Sequence, residues 1–144
     1  MTSGAPVLNE LIRVRSGGCG TDCGADDLYQ LRFYETTLAG PRFNNSGTQV
    51  TVLLLQNPTD APVDAAIHFW STSGTLLATQ VLNPPLAPKA TLVLNTANVP
   101  GLAGESGSLT LAHTAPFSAL AGKTVALEPA TGFSFDTPLL SRSP

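Results

Sequence analysis

The chain has 144 residues, a net charge of −3 and only 12% charged residues. That length suffices for one domain burying roughly 70% of its unfolded surface. The acidic balance leaves no electrostatic footprint for nucleic acid. The longest aliphatic run, Val52 to Leu55, falls far short of a membrane span.

Twelve Pro and 13 Gly are scattered along the sequence, which disfavours long helices. Threonine occurs 17 times and lysine twice, a balance suited to β-structure. Arg13, Arg15, Arg32 and Arg42 gather positive charge in the first third. They are interspersed with Asp22, Asp26, Asp27 and Glu35, the pattern of a mixed solvated surface and not of a polyanion site. The N-terminus has no basic region followed by a long apolar run and no small-residue cleavage site. The protein therefore either stays inside the cell or begins after a removed export signal.

Residues 7–15 are ambiguous: Leu8, Leu11, Ile12 and Arg15 fit a helical face, while Leu11 to Arg15 fit a short edge strand equally. The run SGGCGTDCGADD that follows is a loop by composition, and residues 1–27 read as an N-terminal segment. Leu28 to Thr37 alternates, with Tyr29, Leu31 and Phe33 turned inward, and opens a domain over 28–140. LAGPRFNNSG reads as a loop. Gly47 to Asn57, GTQVTVLLLQN, is the strongest strand signal. It is apolar on both faces, Val50, Val52 and Leu54 opposing Leu53 and Leu55, so its second face also needs cover.

NPTDAP is a turn, and Val63 to Trp70 is a strand with Val63, Ala65, Ile67 and Phe69 on its core face. STSG leads by a hairpin into Thr75 to Leu82. Thr91 to Leu94 and Ser108 to His113 are further strands. Phe117–Leu120 and Lys123–Leu127 read as a hairpin or bent strand around Gly122, and Thr131 to Thr137 closes the fold. The result is roughly eight or nine short strands with turn signals at intervals of about 8–12 residues. That rhythm predicts an all-β fold: a single antiparallel β-sandwich, immunoglobulin-like or fibronectin-like. The widely spaced Cys…Trp…Cys pattern of antibody domains is missing, which leaves the topology open.

Cys19 and Cys23 are the only cysteines. Zinc needs four ligands, and the thioredoxin spacing is Cys-x-x-Cys, so a local disulfide is the reading. Such a small loop would gain only roughly 2 kcal/mol from it, but it implies an oxidising compartment and thus an extracellular or cell-surface protein. Asp22, Asp26 and Asp27 are weak calcium candidates whose spacing does not match an EF-hand; no other cofactor is expected. His68 and His113 stand beside no plausible nucleophile. GESGS breaks the nucleophile-elbow pattern at Ser108, and the dinucleotide-loop pattern fails at Cys23. The chain reads as non-enzymatic.

The outward side of the Val63–Trp70 strand carries Ala66, His68 and Trp70. With one apolar set of the central strand, Leu53 and Leu55 or else Val52 and Leu54, they are expected to form a patch a monomer rarely leaves bare. Cover by Val7, Leu8, Leu11 and Ile12 of the N-terminal segment is one account. Contact with another subunit, a neighbouring domain or a sugar stacked on Trp70 is the other.

FYETTLAGPRFNNSGTQVTVLLLQNPTDAPV, with SGSLTLAHTAPFSALAG and ALEPATGFSFDTPL, resembles β-sandwich modules in large exported proteins of environmental bacteria. The resemblance covers residues 28–140, rests on strand-and-turn texture, and carries over no site residues. It implies an extracellular module. The expected role is a structural or interaction module, with a self-assembling surface or filament subunit as one form, partnered by protein through self-association or a neighbouring domain. Carbohydrate binding through Trp70, with Tyr29 or Tyr34, is the alternative.

Overall fold

The computed structural model describes residues 37–141. Cys19, Cys23, the three loop aspartates, Tyr29, Tyr34 and most of the expected Leu28–Thr37 strand lie outside the described residues. Nine strands follow in order: β1 Thr37–Asn44, β2 Val50–Gln56, β3 Ala65–Ser71, β4 Leu76–Val81, β5 Thr91–Asn95, β6 Ser106–His113, β7 Ala121–Glu128, β8 Phe133–Pro138 and β9 Leu140–Ser141. Among the described residues one 3₁₀ turn, Thr96–Asn98, interrupts them. All pairings are antiparallel, in a five-stranded sheet ordered β4-β3-β6-β1-β9 and a four-stranded sheet ordered β5-β2-β7-β8. The all-β sandwich is thus the observed architecture.

The β2–β5 pairing and the β4-β3-β6 order match neighbours of an immunoglobulin sandwich. There the first strand flanks the β2 equivalent and the last flanks the β6 equivalent. Here β1 lies beside β6 and β7 beside β2. The two flanking strands have exchanged sheets.

The core forms where alternating side chains of both sheets meet. Ile67 and Phe69 of β3 and Leu109 and Leu111 of β6 face Leu53 and Leu55 of β2, all fully enclosed. Phe43 packs edge-on against Phe69, with ring centroids 5.3 Å apart. Each buried side chain of this size contributes about 1.5–3 kcal/mol over its exposed state.

Buried asparagines fix both ends of β2. Before it, Asn45 accepts from the Thr51 amide at 3.2 Å and donates to the Leu102 carbonyl at 3.1 Å. Its own amide donates to the Glu105 carbonyl. Thr96 Oγ1 lies 2.8 Å from both Asn45 Oδ1 and the Thr51 carbonyl and shares its hydrogen between them. After the strand, Asn57 Nδ2 reaches the carbonyls of Ala61, Leu86 and Ala87, while Oδ1 accepts from the Thr59 amide and hydroxyl. These knots satisfy the loop backbone where the chain crosses between sheets.

Three expectations need correction. LAGPRFN, expected as loop, is most of β1. Pro41 is tolerated there because the β1–β6 register slips between Gly40 and Phe43, a bulge that asks no amide of it. Phe117 to Leu120 is not a strand: it lies in a turn closed by the Ala119 amide on the Pro116 carbonyl, and Ser118 has a φ of 60°. Finally, β2 and β3 belong to opposite sheets. Leu53 and Leu55 therefore point into the core and cannot share an outer face with Ala66, His68 and Trp70.

Candidate functional site

Residues directly opposite on paired strands share a sheet face. Leu53 and Leu55 face inward, so Val50, Val52 and Leu54 face outward on the four-stranded sheet. Leu54 is opposite Val93 of β5 and Lys123 of β7, Val52 is opposite Val125, and Val50 is opposite Leu127. Six aliphatic side chains thus adjoin on one outer surface, with Val93 65% exposed. A sheet face in water ordinarily carries polar residues at these positions. The border is polar: Lys123 and Asp136 pair at 2.6 Å, and the Thr48 hydroxyl donates to Glu128 at 2.5 Å. The Thr48 bond holds the Glu128 carboxyl below its ordinary range, and Lys123 does the same for Asp136.

The outer surface of the other sheet carries Ala66, His68 and Trp70, as the alternation of β3 requires. It is a mixed surface. The Trp70 indole donates to Thr110 Oγ1 at 2.9 Å, and His68 Nδ1 meets Thr79 Oγ1 at 3.0 Å. The two rings are tilted, with centroids 6.3 Å apart. Sequence reasoning put Trp70 on the correct face of its own strand but joined it to the wrong sheet. It also missed Val93, Val125 and Leu127. Alternation in Thr91–Leu94 and Lys123–Leu127 carried the signal, since a strand that turns Leu92 and Leu94 toward the core must turn Val93 out.

At one end of the five-stranded sheet, the β1 bulge opens a cleft of about 410 Å³. Ser108 lies opposite the slip, between the Gly40–Leu109 and Phe43–Gly107 partners, so β1 and β6 part there. The walls are Pro41 and Arg42 of the bulge and Ser71 and Thr72 at the start of the β3–β4 turn. Beyond it, Phe133 and Phe135 of β8 are 75% and 50% exposed, and the Arg42 guanidinium lies 5.8 Å from the Phe135 ring centroid.

His113 is enclosed near the end of β6, and burial lowers its pKa below 6.5, partly offset by a hydrogen bond with the Ala115 backbone. Among the described residues no group of three His, Cys, Asp or Glu is arranged to hold a metal ion. No described helix is long and apolar enough to cross a membrane.

No family model matches the chain, and no curated protein matches it. A crystal structure of a Thermotoga maritima protein is similar at 12% identity, with a TM-score of 0.63 over 74% of this chain and 94% of that one. At that identity the likeness concerns the fold.

Proposed function

We propose that the protein is a non-enzymatic structural or interaction module of an exported protein, and that it self-associates through the outer face of its four-stranded sheet. The observation that carries this reading is the run of Val50, Val52, Leu54, Val93, Val125 and Leu127 on a surface ordinarily polar. The non-enzymatic part is supported by the histidines. Among the described residues neither ring is hydrogen-bonded to a carboxylate of the kind that backs a general base. His68 Nδ1 meets the Thr79 hydroxyl and His113 bonds with the Ala115 backbone, while His68 Nε2 and His113 Nδ1 have no partner among those residues. The extracellular setting rests on the Cys19 and Cys23 pair in its glycine-rich loop.

Light scattering on size-exclusion fractions at rising concentration tests the reading. The protein should elute above monomer mass, and Leu54→Lys or Val93→Asp should return it to monomer without lowering the melting temperature. A native protein that stays monomeric throughout would sink it. Carbohydrate binding on the Trp70 face is a second reading, favoured because Thr110 fixes the indole on the sheet surface. A glycan array unaffected by Trp70→Ala removes it.

A further inference from the structure

The geometry points to the cleft at the β1 bulge as a binding site for an acidic sugar, a uronate whose carboxylate meets Arg42. Two features meet there and a third adjoins them through Arg42. Thr72, Ser106 and Ser108 line the cleft, and their hydroxyls have no hydrogen-bond partner among the described residues. Each can donate one hydrogen bond and accept two, which suits the mixed donors and acceptors of a sugar ring. Arg42 supplies the charge. Of the described cations, Lys89 pairs with Asp60 and Lys123 with Asp136, whereas Arg42 reaches only the Gln49 amide oxygen, at 3.3 Å. That bond uses one Nη2 hydrogen and leaves the guanidinium able to grip a carboxylate.

Phe135 is the third feature. It is not a wall of the cleft, but the Arg42 guanidinium lies over its ring, 5.8 Å from the centroid. The ring is half exposed, so a sugar held by Arg42 can rest its apolar face on the open part. The cleft, at about 410 Å³, sits at the small end of the ligand-pocket range of roughly 300–1,000 Å³, consistent with one or two rings rather than a long polymer segment. It opens because the bulge removes ladder contact at Ser108, and bulges are frequent beside binding sites. The walls of the cleft come from the five-stranded sheet and its β3–β4 turn, and Phe135 is not one of the six aliphatic residues of the other sheet's outer face, so neither proposal depends on the other.

Nitrogen–proton correlation spectra titrated with glucuronate, galacturonate, glucose, galactose, acetate and sulfate test the site. Uronates should shift the Ser106–Ser108 and Arg42 amides and bind at least tenfold more tightly than the neutral sugars, acetate or sulfate. Arg42→Gln should cost tenfold or more, and Ser108→Val several-fold, with melting temperatures unchanged because both residues lie outside the core. No shift with either uronate would overturn the assignment. So would uronate binding indifferent to Arg42→Gln, or acetate and sulfate binding as tightly as the uronates.

Discussion

The carbonyl oxygen of Trp70 lies 1.8 Å from the point a Cβ on Gly107 would occupy. β3 and β6 are pressed together at the Ser71–Gly107 pair, and no side chain fits between them. The obstacle is backbone, so it cannot rotate away. Gly107→Ala should therefore destabilise the protein by about 3 kcal/mol or more, at the upper end of overpacking costs. Gly74, at a φ of +83° with nothing within 4 Å, is the control. Gly74→Ala should cost only about 1 kcal/mol, the strain of a left-handed backbone. Urea unfolding of the two variants side by side checks this. Equal losses would mean that the β3–β6 approach is looser than described.

Asn57 offers a second test. Its side-chain amide holds the carbonyls of Ala61, Leu86 and Ala87, and it is fully enclosed. Asn57→Ala leaves those buried acceptors unpaired and should cost about 2–3 kcal/mol. Asn57→Asp should cost more at neutral pH, because it sets a carboxylate against carbonyl oxygens. That variant should recover stability on acidification, as the protonated acid regains a donor. Denaturation midpoints of both variants at neutral and mildly acidic pH distinguish them; an Asp variant insensitive to pH would contradict the knot.

Core removal gives the third. Phe69 is fully buried and meets the edge of Phe43. Phe69→Ala should cost about 3–5 kcal/mol, as deletion of a buried aromatic ring does. Phe133→Ala, on a side chain 75% exposed, should change stability by less than about 0.5 kcal/mol. Thermal melts decide between the two; comparable losses would place Phe133 against a surface that buries it.

How far the sequence reached is clearest at β2 and β3. Alternation alone assigned Ala65, Ile67 and Phe69 to the core, because a strand's period of two leaves only one way to bury them together. The doubly apolar β2 also declared that its second face was unusual. What alternation could not supply was the sheet to which each strand belongs. A short connection such as Asn57–Asp64 serves a hairpin within one sheet or an arch between two, and the choice here depends on Asn57 bonding to Leu86 and Ala87, about 30 residues away in the chain. β1 was missed for a different reason. Pro41 is a strand breaker in isolation, and only the bulge against β6 makes it acceptable. The cleft follows from that same bulge, so it was illegible too.

His113 carries the pH prediction. It is enclosed opposite Ala65, its Nδ1 has no partner among the described residues, and burial pushes its pKa below 6.5. The unfolded chain thus takes up a proton at a higher pH than the folded one. Between 6.5 and the folded value the unfolded state binds more protons, so stability falls as the pH drops through that window and is flat above it. The lowered carboxyls, Glu128 and Asp136, act only nearer their own, more acidic range and are exposed, so they do not blur the effect. Urea midpoints between about pH 7.5 and 5 should decline for the native protein, and His113→Leu should flatten most of the slope. A native midpoint constant across that interval would show that the folded protein accepts the proton on His113 as readily as the unfolded chain does.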